Sequence, residues 1–175
     1  AAVFAQIWIT RGVYGSGDIF SYWESGVMVA DALRYDFTGI APPLIEVFFH
    51  QPSKLPFAIF GHGATGSQTV VVSFLLFFLG DSLYATCMTV ALIAYLGKIV
   101  LFHVMRDSFP AALHSRILAA CALIPSVVYW SSTISKEAVA MGFLGFSLLG
   151  VRHIIRSGRW LLGLAITGFA LVPVS

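Results

Sequence analysis

Apolar runs broken by short polar knots set the rhythm of this chain. Residues 1–10 are apolar and read as the end of a first membrane helix, followed by a Gly-rich exit over 11–17. From Asp18 the pattern takes a helical period: Phe20, Trp23, Val27 and Ala30 fall on one face, and Asp18 and Tyr22 sit one turn apart on another. Ser16 or Asp18 suits the N-cap, since a short side-chain oxygen accepts from the free amides of the first turn and a negative charge suits the positive end of the dipole. Asp18 therefore reads equally well as a cap and as a functional carboxylate. Gly39 is expected to stop this helix in the left-handed region, and Pro42-Pro43 to open a new one. Residues 44–50 are too few to cross a bilayer and lie between prolines, which suits an interfacial segment.

Residues 57–79 split in two. The first half is rich in Gly and polar groups and only the second is continuously apolar, well short of the roughly 20 residues a span needs. A re-entrant or interfacial segment is expected, and irregular backbone at membrane depth needs protein or a water-filled cavity to satisfy it, here near His62. Gly80-Asp81-Ser82 marks a turn and a fresh N-cap. Spanning helices are then expected over 83–105, 111–131, 137–151 and 160–174, giving an all-α polytopic transmembrane bundle with an outer-face loop of amphipathic juxtamembrane helices over 11–82.

Composition agrees with this reading. Of 175 residues, 58% are hydrophobic and 10% charged, where a water-facing domain carries about a quarter charged residues. The formal charge of +2 and the lack of a basic run with interleaved aromatics argue against nucleic acid. Cys87 and Cys121 both lie in apolar runs and read as packing residues. The single membrane domain is expected to belong to a longer chain.

The arginines give sidedness. Arg106 and Arg116 flank one short loop and Arg152, Arg156 and Arg159 occupy another, and short basic loops stay cytoplasmic. The polar knot at 131–137 then falls on the outer side. If 57–79 does not cross, Asp18 shares that face with Lys136 and Glu137.

Ionisable groups close to apolar surroundings are the candidates for function: Asp18, Tyr22, Glu24, His50, His62, Lys136 and Glu137. Lys136-Glu137 also reads as a charge pair snorkelling at a helix end. His62 reads more simply as a packed histidine, with Glu46 and His50 as its candidate metal partners. Tyr129 and Trp130 suit an aromatic belt, and the 152–159 arginines a contact with anionic lipid. Fingerprints for serine hydrolysis, zinc proteolysis, phosphate-loop and dinucleotide binding are absent.

Gly17-Asp18-Ile19-Phe20-Ser21-Tyr22-Trp23, coming after an apolar first segment, resembles the first extracytoplasmic loop of the GT-C membrane glycosyltransferases. Those enzymes include the protein and lipid mannosyltransferases and the aminoarabinose transferase. Pro42-Pro43-Leu44 and Leu79-Gly80-Asp81-Ser82 resemble landmarks between which that family folds its juxtamembrane helices. Residues 125–132 with Lys136-Glu137 are similar to a pattern in bacterial members. The resemblance implies transfer of a sugar from a polyprenyl-phosphate donor at the outer face of a bacterial inner membrane. Asp18 would be general base or the carboxylate partner of a divalent metal, and Lys136 would neutralise the departing phosphate. Tyr22, Glu24, His62 and Glu137 would contact substrate. The sequence departs from the family in Ile19, which stands where a second acidic residue is usual, and in lacking a C-terminal soluble domain. The competing reading is a non-catalytic subunit that packs against other membrane subunits, and such a subunit should bury Asp18 and Lys136 against neighbours.

Overall fold

The structure is a computed structural model that describes residues 1–15, 17–52, 55–61, 63–157 and 160–171. Ser16, His62, Arg159 and the end of the expected last span lie outside the described residues. The described elements are helical, with no strand among them.

The first helix, α1 (Ala2–Ile9), widens into a π-helical turn over Thr10–Tyr14 and ends at Gly15, whose φ of 69° is left-handed. The second, α2 (Asp18–Tyr35), starts from Gly17 with no side-chain cap. Its buried positions are Ile19, Tyr22, Gly26, Val29, Ala30 and Leu33, so the stripe facing the core lies about one residue away from the expected Phe20/Trp23/Val27/Ala30 face. Gly26 is the physical reason. A Cβ there would lie 2.8 Å from Leu76 and 2.9 Å from Val72, so the bare backbone is what lets α4 (Ala64–Leu79) pack directly on this side of α2. Arg34 locks the pair, donating to Asp31 at 2.6 Å, to Asp81 at 2.9 Å and to the Leu76 carbonyl at 2.8 Å.

Gly39 does not stop α2. Asp36 ends it and caps α3 (Phe37–Phe48), its carboxylate accepting from the Gly39 amide at 2.9 Å, which draws Gly39 and both prolines inside one helix. That helix ends with His50 at φ 59°, where the His50 amide donates to Val47 and the Gln51 amide to Glu46. This is a left-handed helix stop with histidine in the place glycine usually takes.

α4 has 16 residues, about 24 Å at roughly 1.5 Å per residue, shorter than the ~30 Å hydrocarbon core. Its polar half is buried, because hydroxyls bond back to carbonyls: Thr69 to Phe60 at 2.8 Å and Ser73 to Thr69 at 2.7 Å.

Two described helices are long and apolar enough to cross a membrane, α5 (Leu83–Arg106) and α8 (Lys136–Ser157). Ser82 caps α5, accepting from the Ala85 amide. The expected span over 111–131 is instead broken: a 3-10 turn over Ala111–Leu113, then α6 (His114–Ala122) and α7 (Pro125–Trp130). Pro125 lacks the donor a continuous helix needs and forces Ile124 to an extended ψ of 124°. The last helix, α9 (Trp160–Leu171), returns antiparallel along α8, with Gly150 against Gly163 and Thr167.

α5 and α8 run in the same direction. A Cβ on Gly142 would lie 3.1 Å from Ile93, one on Gly145 would meet Gly97 and Leu101, and Arg152 reaches His103 and Asp107. Ile134 and Ala138 share a core cluster with Cys87 and Val90, so α8 begins about one to two turns further along the bundle axis than α5.

Candidate functional site

That offset leaves a recess beside the start of α8. The first turn of α2, the first turn of α8 and the end of α1 enclose a cavity of about 580 Å³, lined among others by Gln6, Asp18, Tyr22, Thr133, Lys136 and Glu137. Four of the seven sequence candidates, Asp18, Tyr22, Lys136 and Glu137, therefore meet in one place although more than a hundred residues separate the two pairs. Glu24 is exposed and does not line this cavity, because on α2 it turns away from the Tyr22 side. His62 lies outside the described residues. His50 lines a separate cavity of about 570 Å³ with Gln51, Leu55 and Phe57.

Asp18 is the first residue of α2, and no side chain caps that helix. Its carboxylate is exposed and engages no described cation, so the capping role open to it is not taken up. Lys136 and Glu137 are likewise exposed and unpaired among the described residues. Ser135 takes the capping duty at α8, accepting from the Ala138 amide at 3.1 Å and donating to the Trp130 carbonyl at 2.8 Å. Two helix N-termini thus open onto the cavity with their charged side chains uncommitted.

Tyr22 is 1% exposed, with its ring edge-on to Phe60 at 5.1 Å. Its hydroxyl is buried without a hydrogen-bond partner, as is that of Thr133. Burial pushes the Tyr22 phenol above its ordinary value, the nearby carboxylates of Asp18 and Glu137 add to this, and Thr65 opposes it. Thr65 is close enough for that influence but outside hydrogen-bonding geometry, and geometry decides that the phenol is an unused donor.

Chemically, the cavity offers carboxylates for proton acceptance, one ammonium, two orphaned hydroxyls and the free amides of two helix ends. Such a set can hold a phosphate or polyhydroxylated group. Among the described residues no three His, Cys, Asp or Glu side chains gather around a metal position. A cation bound between Asp18 and Glu137 would draw the rest of its shell from substrate oxygens and water.

Gln6, Thr10, Tyr14 and Thr133 line the cavity without having been singled out from the sequence. Gln6 carried a signal: it is a polar residue inside an apolar run, and its amide oxygen accepts from Ser132 at 2.7 Å. Tyr129 and Trp130, read as belt residues, also face the cavity.

Comparison of the chain with family models, with curated proteins and with solved structures finds no match.

Proposed function

We propose that this chain is a membrane glycosyltransferase of the GT-C kind, moving a sugar from a polyprenyl-phosphate donor to an acceptor hydroxyl at the outer face of a bacterial inner membrane. One observation carries the reading: an uncapped carboxylate, Asp18, and a lysine-glutamate pair open into the same recess. The alternative is a non-catalytic subunit, in which these exposed groups would be covered by a partner.

In this mechanism Asp18 takes the proton of the acceptor hydroxyl as its oxygen bonds to the anomeric carbon. The bond from that carbon to the phosphate oxygen breaks, and its electron pair stays on the phosphate. Lys136, the amides at the starts of α2 and α8, and the Tyr22 and Thr133 hydroxyls stabilise the charge that develops there. Membrane lipid is the solvent for the donor's chain.

Asp18→Asn tests this. It keeps the shape of the side chain and removes the base, so sugar transfer in membranes should fall about 100-fold or more. The amount of folded protein in the membrane should be unchanged. Transfer at the wild-type rate would return the chain to the class of structural subunits.

A further inference from the structure

Lys98 carries an ammonium group into the middle of α5, where it is only 6% exposed. Its Nζ donates to Ser131 Oγ in a short contact and lies 3.4 Å from the Val127 carbonyl. No described carboxylate pairs with it. Its partners are neutral oxygens at the C-terminal end of α7: the Ser131 hydroxyl and the Val127 carbonyl, which also accepts from the Ser131 amide and hydroxyl. A buried cation is costly unless its hydrogen bonds are made, so this contact is strongly constrained in geometry.

Beyond that anchor the chain has no helix until Lys136, yet Ser131, Ser132, Thr133 and Ile134 are all buried. Side chains hold its path. Ser131 is held by Lys98 from α5 and itself donates to the Val127 carbonyl at 2.5 Å. Ser132 is held by Gln6 from α1, and Ser135 by the Trp130 carbonyl. These bonds decide where Thr133, Lys136 and Glu137 enter the cavity.

We propose that Lys98 is a positioning residue for this cavity. Its cationic hydrogen bonds to the end of α7 fix segment 131–135, and through it the placement of Lys136 and Glu137, without Lys98 touching a ligand. The inference holds for any occupant of the cavity and stands apart from the sugar-transfer reading.

The test uses the full chain in lipid nanodiscs, with Cys121→Ala to remove the half-buried thiol and Glu137→Cys as reporter. The rate at which a water-soluble maleimide modifies that reporter is measured without any substrate. Lys98→Met should change the rate about tenfold, the scale of one lost charge-assisted hydrogen bond. Lys98→Arg, which keeps the cation, should restore it. A second reporter, Glu24→Cys, outside the cavity, should not respond. Ser131→Ala removes the acceptor while leaving Lys98 in place. It should shift the Glu137→Cys rate in the same direction, and it carries the test if Lys98→Met fails to fold. The proposal is overturned by a rate that neither substitution moves, by one that moves together with the Glu24→Cys rate, or by one that Lys98→Arg leaves as altered as Lys98→Met does.

Discussion

Tyr22 holds its phenol in the core without a partner, an arrangement that costs about 1–3 kcal/mol relative to a satisfied group. A protein that keeps such a donor gains from it only when something else accepts the bond. Because burial and two neighbouring carboxylates raise its pKa, the phenol stays protonated across the physiological range and remains a donor. Tyr22→Phe should therefore leave the thermal unfolding midpoint equal or slightly higher, since no bond is lost, while the proposed sugar transfer slows. A midpoint several degrees lower would mean that Thr65 does satisfy the hydroxyl and that its role is structural. The sequence pointed to Tyr22 as a polar group beside Asp18, and the structure adds that it is core. Lys98 shows the opposite case. It was not singled out within the expected 83–105 span, and only the folded chain places Ser131 within its reach, because 33 positions separate the two.

At the scale of elements, the closest approach is between α5 and α8. A Cβ on Gly97 would run into the backbone of Gly142, not into a side chain that could swing away. Gly97→Leu should separate the two helices and destabilise the protein by about 3 kcal/mol or more, above the usual range for overpacking because backbone must move. Thermal unfolding in detergent would read this, and Gly168→Leu, where a Cβ meets nothing within 4 Å, is the matched control. The apolar parts of these two long helices were legible in the sequence, but α8 continues past the expected end at 151 through Arg152 and Arg156 to Ser157. The return between them was not. Apolarity over 111–131 is continuous enough to suggest one helix, but Pro125 removes a backbone donor at its middle and the chain refolds as two short pieces. Gly39 misled for a related reason: the Asp36 side chain captured its amide, and a local capping bond outweighed the tendency of glycine to stop a helix.

For the molecule as a whole, the shared direction of α5 and α8 brings Arg106, Arg152 and Arg156 together at one end, while the cavity lies beside the start of α8. Arg152 and Arg156, expected in a loop, sit on the last turns of α8, and the basic end is a single electrostatic unit. Asp107 is its only described acid, accepting from Arg152 at 2.5 Å with Arg106 at 3.6 Å and Arg156 at 3.8 Å. Partial desolvation works against the charged carboxylate, but Arg152 and then Arg106 outweigh it and hold Asp107 below its ordinary value. A carboxyl whose folded value is depressed stabilises the fold above its unfolded value and loses that contribution as pH falls through the folded one. Asp107→Asn should therefore lower the unfolding midpoint at pH 7, leaving three arginines without their common partner. The gap between variant and wild type should hold down to about pH 4, the ordinary aspartate range, and close only below it. Raising salt at pH 7 should narrow it as well, because the cluster is solvent-facing. A gap that ignores both pH and salt would mean that Asp107 joins α5 to α8 by its shape, not its charge.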